Sequence, residues 1–167
     1  LATLSGKDRH ELRRKMRKLE AALPAVQVRS VTRPAEMGAG LDEFLRLHRA
    51  SRTGKAKFMD ERMEAFFRRA LDALAAAGWV RLWFLESAGT PVASFICTEY
   101  GDSVGLYNSG FDPAHSRLAP GIVLLGHVIR DAIERRVPVF DFLRGEEPYK
   151  YAFGPTPSDV MSARLAP

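Results

Sequence analysis

Two stretches of this 167-residue chain hold residue types that could do chemistry. The first, FDFLRGEEPYKYAFG, runs from Phe140 to Gly154. It sets Asp141 inside an apolar run, then opens into Arg144, Gly145, Glu146, Glu147 and Tyr149-Lys150-Tyr151. On a strand, Val139, Asp141 and Leu143 share one face, and Phe140, Phe142 and Arg144 the other. A carboxylate between two phenylalanines is expected to be at least half buried, and a buried carboxylate must be paired or hydrogen-bonded. Arg144, Lys150 or a tyrosine hydroxyl would be its partner. Such a group reads as a structural ion pair or as a tuned general base or acid beside a cleft.

The second stretch is SRLAPGIVLL, residues 116–125. Pro120 suits a first helical turn, where its missing N–H costs nothing. Ala119 before it has no side-chain acceptor, so the amides of Gly121, Ile122 and Val123 have no obvious cap. Uncapped amides at the positive end of a helix form an anion site. Gly121 has no side chain to obstruct a phosphate, and Ser116 and Arg117 stand just upstream. The plainer alternative is that Ser116 or solvent completes the cap. No phosphate-loop motif of the G-x-x-x-x-G-K-[ST] type occurs.

The surrounding pattern must position both stretches. Residues 5–23 read as a helix capped by Ser5, with Leu12, Met16, Leu19 and Leu23 as its apolar stripe. Lys7, Arg9, Arg13, Arg14, Lys15, Arg17 and Lys18 cover much of the rest, a solvated face or a phosphate-binding one. VQVRSV, 26–31, alternates as a strand. Pro34 through Gly40 reads as a loop, followed by a helix with Leu41, Phe44, Leu45 and His48 on one side. TGKAKF interrupts the pattern. Asp60 caps a helix over 61–77 that Gly78 stops. Residues 79–86, 90–100 and 103–111 alternate as three strands of an antiparallel meander. A helix follows, with Ile122, Leu125, Ile129, Ala132 and Ile133 inward, and then the strand VPVFDFL. The order predicts a mixed α/β sheet with a crossover helix before a parallel last strand.

Composition narrows the class. The chain is 46% apolar and 27% charged, as in ordinary soluble domains. No apolar run approaches the ~20 residues of a membrane span, and no signal-peptide pattern is present. One cysteine, Cys97, excludes an internal disulfide and a cysteine metal site, so a cytoplasmic setting and no metal are expected. Residues 1–33 carry nine Lys/Arg against three Asp/Glu, and the remainder sixteen against seventeen. The basic excess therefore sits in the N-terminal helix, and the body of the domain has no global attraction for nucleic acid.

LYNSGFDP, LAPGIVLL and VFDFLRGEEPYKYAFG together resemble the GCN5-related N-acetyltransferase (GNAT) superfamily. The likeness is specifically to the acetyltransferase domain of the CelD-like group of cellulose and exopolysaccharide biosynthesis proteins, itself distantly similar to Fem-type peptidyltransferases. The resemblance implies a GNAT-like mixed sheet over residues 25–167, with residues 1–24 as a basic helix packed on it, the whole being the C-terminal half of a longer protein. It implies an acyl-CoA-dependent N-acyltransferase, with acetyl-CoA or another acyl-CoA as donor and the amine of an amino sugar or small metabolite as acceptor. The donor would lie on Arg117, Leu118, Pro120, Gly121 and Ile122. Asp141, directly or through water, would take the amine proton. Tyr149 or Tyr151 would protonate the leaving thiolate, and Lys150 would stabilise its charge. Tyr107 and Asn108 would orient the acyl carbonyl, with Arg144, Glu146 and Lys57, beside Lys55, on the acceptor side. Two alternatives stay open. One is an aminoacyl-tRNA-dependent transferase that holds RNA on the N-terminal helix. The other is a non-catalytic interaction module of a polysaccharide-export assembly.

Overall fold

The computed structural model describes residues 4–51 and 53–164. The elements are α1 (Gly6–Ala22), β1 (Val26–Val31), α2 (Pro34–Ser51), α3 (Thr53–Phe58), α4 (Glu61–Ala76), β2 (Val80–Ser87), β3 (Thr90–Tyr100) and β4 (Ser103–Phe111). A 3-10 turn (Pro113–Leu118), α5 (Pro120–Glu134), β5 (Val139–Asp141) and α6 (Pro148–Tyr151) complete the chain. The sheet order is β1-β2-β3-β4-β5. The first four strands pair antiparallel, and β5 pairs parallel to β4 after the α5 crossover. This is the mixed architecture expected from the order of elements.

Both faces of the sheet are covered, which explains the near-continuous apolar runs of β2 and β3. Trp83, Leu85, Phe95 and Cys97 point to one face, under Leu19 of α1 and Val123, Leu124, Leu125 and Val128 of α5. Leu82, Phe84 and Ile96 point to the other, under Met37, Leu41, Phe44 and Leu45 of α2 and Phe67 and Leu71 of α4. Cys97 is fully buried, and burial raises its thiol pKa well above the ordinary range, so it is an inert core thiol.

Local chemistry sets several boundaries where the sequence places them. Ser5 Oγ accepts from Asp8 N at the start of α1, and Asp60 Oδ1 accepts from Met63 N at the start of α4. Three expectations are corrected. Residues 34–40 are the first turns of α2, not a loop. Gly40 is there for packing: a Cβ on it would meet Leu82 Cδ1 at 2.9 Å, so the glycine lets α2 approach the sheet. TGKAKF is a short helix, α3. Ile133 is 59% exposed rather than inward, and Pro120, Val123, Leu124, Leu125, Val128 and Ala132 form the buried face of α5.

Two features of β4 shape the site. Ile96 pairs with Asn108, whereas Cys97 pairs with Leu106, so Tyr107 is an extra, bulged residue. Gly110 lies against the backbone of α2, where a Cβ would fall 2.5 Å from His48 N and 2.7 Å from Leu47 C. No helix among the described residues is long and apolar enough to cross a membrane.

Candidate active site

The register between β4 and β5 covers Ser103–Gly105 against Val139–Asp141. Beyond Gly105, β4 runs on to Phe111 while the chain after Asp141 turns away. The parallel pair therefore splays, and a cleft of about 310 Å³ opens between the end of β4 and the start of α5. Phe95, Ser109, Gly110 and Phe111 form its sheet wall, and Ser116, Ala119, Pro120, Gly121 and Ile122 its helix wall. Lys55 closes one rim and Glu147 and Tyr149 the other.

The helix wall has the geometry of an anion site. Ala119 adopts a left-handed conformation, φ 51° and ψ 51°, and provides no side-chain cap to α5. Its carbonyl accepts from Ile122 N at 3.0 Å and Val123 N at 3.2 Å, closing the first turn tightly. At Gly121 an added Cβ would meet nothing within 4 Å, so this end of the helix is open to a bulky partner. The positive end of the α5 dipole faces the cleft through these residues. Pro120, Gly121 and Ile122 thus line the cleft, while Arg117 and Leu118 flank it on the preceding turn. Arg117 is exposed, and its carbonyl accepts from Lys18 Nζ of α1 at 3.0 Å.

The sheet wall differs from the simple alternation. The Tyr107 bulge puts Leu106 and Ser109 toward α5, and Tyr107 and Asn108 toward the α2 and α4 side. Tyr107 packs its ring 6.0 Å from Phe67 and is half exposed. Asn108 Oδ1 accepts from Ser109 N at 2.8 Å, and its side chain meets His48. His48 is buried, and desolvation, followed by the charge of Lys55, lowers its pKa to about 4, so it is neutral. Lys55 Nζ donates to the carbonyl of Ser109, and lies 3.2 Å from Ser109 Oγ. Lys57, two residues on, is exposed on α3.

The expectation for Asp141 is corrected. Asp141 is exposed, and its Oδ1 accepts from Leu143 N at 2.7 Å. The alternation along β5 holds: Phe140 and Phe142 turn into the core with ring centroids 5.3 Å apart. The opposite face of this edge strand, however, is open: Val139 is 51% exposed and Leu143 41%. Within residues 140–154 Lys150, not Asp141, is the buried charge. Its Nζ donates to the carbonyls of Arg144 at 3.0 Å and Gly145 at 3.1 Å, and sits 2.8 Å from Glu147 Oε2. Asp141, Arg144, Glu146, Lys150 and Tyr151 line a separate hollow against residues 155–160, away from the α5 start. Of the ionisable groups on the opening stretch, Tyr149 and Glu147 face the cleft. Burial, with the Glu147 charge nearby, raises the pKa of Tyr149 and keeps it protonated. Ser109, Phe95 and Glu147 are cleft residues that pattern reading misses, because the bulge and the loop turn toward the cleft leave no periodic trace. No group of three or more His, Cys, Asp or Glu side chains among the described residues could hold a metal ion.

The same fold occurs in solved structures. A GCN5-related N-acetyltransferase from Ralstonia eutropha JMP134 superposes with a TM-score of 0.59 at 21% identity, covering 84% of this chain and 99% of that one. A predicted acetyltransferase from Clostridium acetobutylicum, solved with acetyl-CoA, superposes with a TM-score of 0.61 at 10% identity, covering 84% and 96%. An aminoglycoside acetyltransferase from an uncultured soil metagenomic sample, in complex with sisomicin, gives 0.52 at 12% identity, covering 85% and 95%. At these identities the likeness is one of fold. No curated protein matches the chain in sequence. Residues 6–151 match the model of the acetyltransferase (GNAT) domain, a span that takes in the splayed strands, the uncapped start of α5 and Tyr149 alike, and the chain belongs to that family.

Proposed function

We infer that this domain transfers an acetyl group from acetyl-CoA to the primary amine of a small molecule. The observation that carries the reading is the cleft itself: an uncapped helix start with an open Gly121 on one wall, and a half-buried, protonated Tyr149 on the rim. The α5 amides and dipole suit the donor pyrophosphate. The acyl arm then runs into the gap between β4 and β5, against Phe95 and Phe111. The amine nitrogen attacks the thioester carbonyl, the C–N bond forms and the C–S bond breaks. Tyr149 gives its phenolic proton to the departing thiolate, and the proton that the attacking nitrogen loses returns to the Tyr149 oxygen through solvent. Lys150 holds the loop that carries Glu147 and Tyr149, and this is its contribution to the site. Asp141, Arg144 and Glu146 belong to the outer hollow, and Asn108 acts from behind β4 by accepting from Ser109 N, with Tyr107 packed on Phe67. A link to polysaccharide biosynthesis, with an amino sugar as acceptor, rests on the resemblance of the Phe140–Gly154 run to the CelD-like group.

Donor binding tests the reading. Acetyl-CoA at ~100 times its dissociation constant should stabilise the fold by about 2.7 kcal/mol through mass action. Gly121→Glu should abolish the shift, because a carboxylate there repels the pyrophosphate. A wild-type melting temperature that stays constant up to millimolar acetyl-CoA would refute it.

A further inference from the structure

Aromatic rings gather on the side of the cleft away from α5. The cleft is lined from both faces of the sheet, by the start of α5 on one and by Lys55 of α3 on the other. The gap between β4 and β5 is therefore a passage through the sheet, and a donor held on the α5 side leaves the α3 side to the acceptor. Phe58 follows Lys55 by one turn of α3, so the two side chains share a face of that helix. Its ring is backed by buried His48, with centroids 6.4 Å apart. Tyr107 leaves the β4 bulge on the same side, two residues before Ser109. Buried Phe67 backs it at 6.0 Å, and also backs Phe66 of α4, edge to face, at 5.9 Å. Phe58, Phe66 and Tyr107 are each half exposed. Together they present about 300 Å² of aromatic surface, the scale of the largest apolar patch on an ordinary monomer.

The geometry points to an acceptor that carries an aryl group close to its reactive amine, with Phe58 and Tyr107 as the rings that receive it and Phe66 beyond them on α4. The inference rests on the acetyl-transfer reading above and names the acceptor class for that site. It concerns the group beside the amine, and holds whether a sugar or a simple chain bears that amine. Each half-exposed ring keeps apolar surface in water. A further ring laid against it removes that surface and adds an offset or edge-to-face contact. Because His48 and Phe67 hold the rings from behind, little conformational freedom is lost when a ligand docks. The strip is continuous with the passage. Phe58 shares its helix face with Lys55, whose Nζ lies 3.2 Å from Ser109 Oγ, and Tyr107 shares its strand with Ser109. Trp79 and Tyr100, an exposed aromatic pair with centroids 4.7 Å apart, stand at the opposite end of the sheet and provide a control.

The test uses two matched pairs of amines: ethylamine with 2-phenylethylamine, and methyl glucosaminide with phenyl glucosaminide. Binding is measured by calorimetry with and without CoA, and kcat/KM with acetyl-CoA. The expected result is that, in at least one pair, the phenyl member binds the wild type at least ~10-fold more tightly than its partner, the scale of taking part of one ring out of water. The pair with the larger ratio distinguishes a sugar-borne amine from a chain-borne one. Phe58→Ala and Tyr107→Ala should each lower that ratio about threefold or more, and Trp79→Ala should leave it unchanged. Rings that serve the fold alone would weaken both members of a pair equally, so the ratio would keep its wild-type value. The proposal is overturned if neither pair shows the preference in the wild type, if the ratio survives both Phe58→Ala and Tyr107→Ala, or if Trp79→Ala lowers it as much as they do. A Tyr107→Ala that does not fold leaves the wild-type ratios and Phe58→Ala to decide. Acetyl-CoA binding is scored in the same samples. Its absence counts against the acetyl-transfer reading, while the titrations without CoA still report on the aromatic strip.

Discussion

The ammonium of Lys150, buried beneath the loop that precedes α6, lies 2.8 Å from Glu147 Oε2. Two backbone carbonyls, those of Arg144 and Gly145, take its other protons. One side chain thus folds residues 144–147 back on themselves and delivers Glu147 and Tyr149 to the cleft.

Lys150→Met should therefore destabilise the domain by about 1–3 kcal/mol, the cost of leaving such partners unsatisfied. Its acetyl-transfer rate should fall while the pH profile of the residual activity keeps its shape. Asp141→Asn should change stability by less than ~1 kcal/mol, since Asn Oδ1 can still accept from Leu143 N. Thermal denaturation and pH–rate profiles of the two variants check both statements. A shifted pH–rate limb in Lys150→Met, or a large kinetic defect with normal stability in Asp141→Asn, would return these residues to the chemistry.

His48 predicts a stability loss on mild acidification. Its folded pKa, about 4, lies below the ordinary histidine value near 6.5, so between these limits the unfolded chain binds a proton that the folded one does not. Stability rises with pH through this window and falls as pH drops from about 6.5 toward 4. The full loss is on the order of 3 kcal/mol. Half-buried His127, also lowered by burial, adds a contribution of the same sign. Denaturant titrations at pH 7, 6 and 5 should show the slope, and His48→Gln should remove about one proton from it.

Tyr149→Phe keeps the packing of the ring and removes the phenolic proton. The expected result is a fall in kcat of ~10²-fold or more, the usual scale for a positioned acid, with acetyl-CoA affinity within about twofold of wild type. Because the Tyr149 pKa is raised, wild-type activity should decline at high pH only above the ordinary tyrosine range near 10. Stopped-flow rates and donor titrations measure the two effects separately. An unaltered kcat in Tyr149→Phe would remove this tyrosine from proton transfer.

Local chemistry by itself determined much of this protein. Ser5 and Asp60 start their helices through their own side chains, and the three strands between Val80 and Phe111 alternate apolar residues with turns between them. The uncapped start of α5 is equally local, because Pro120 has no N–H and Ala119 no acceptor. Those signals need only near neighbours along the chain. Tertiary packing decided the rest. Gly40 looks like a break, yet it is the contact that lets α2 lie on Leu82. The bulge at Tyr107 depends on which β3 residues β4 meets, and it moves Ser109 into the cleft and Asn108 behind it. Asp141 is exposed and Lys150 buried because β5 is a three-residue edge strand whose outer face, with Val139 and Leu143, stays open to solvent, while the loop after it closes over the lysine. Burial, register and ion pairing are set by residues distant in sequence, so periodicity could place the elements but not assign these charges to their partners.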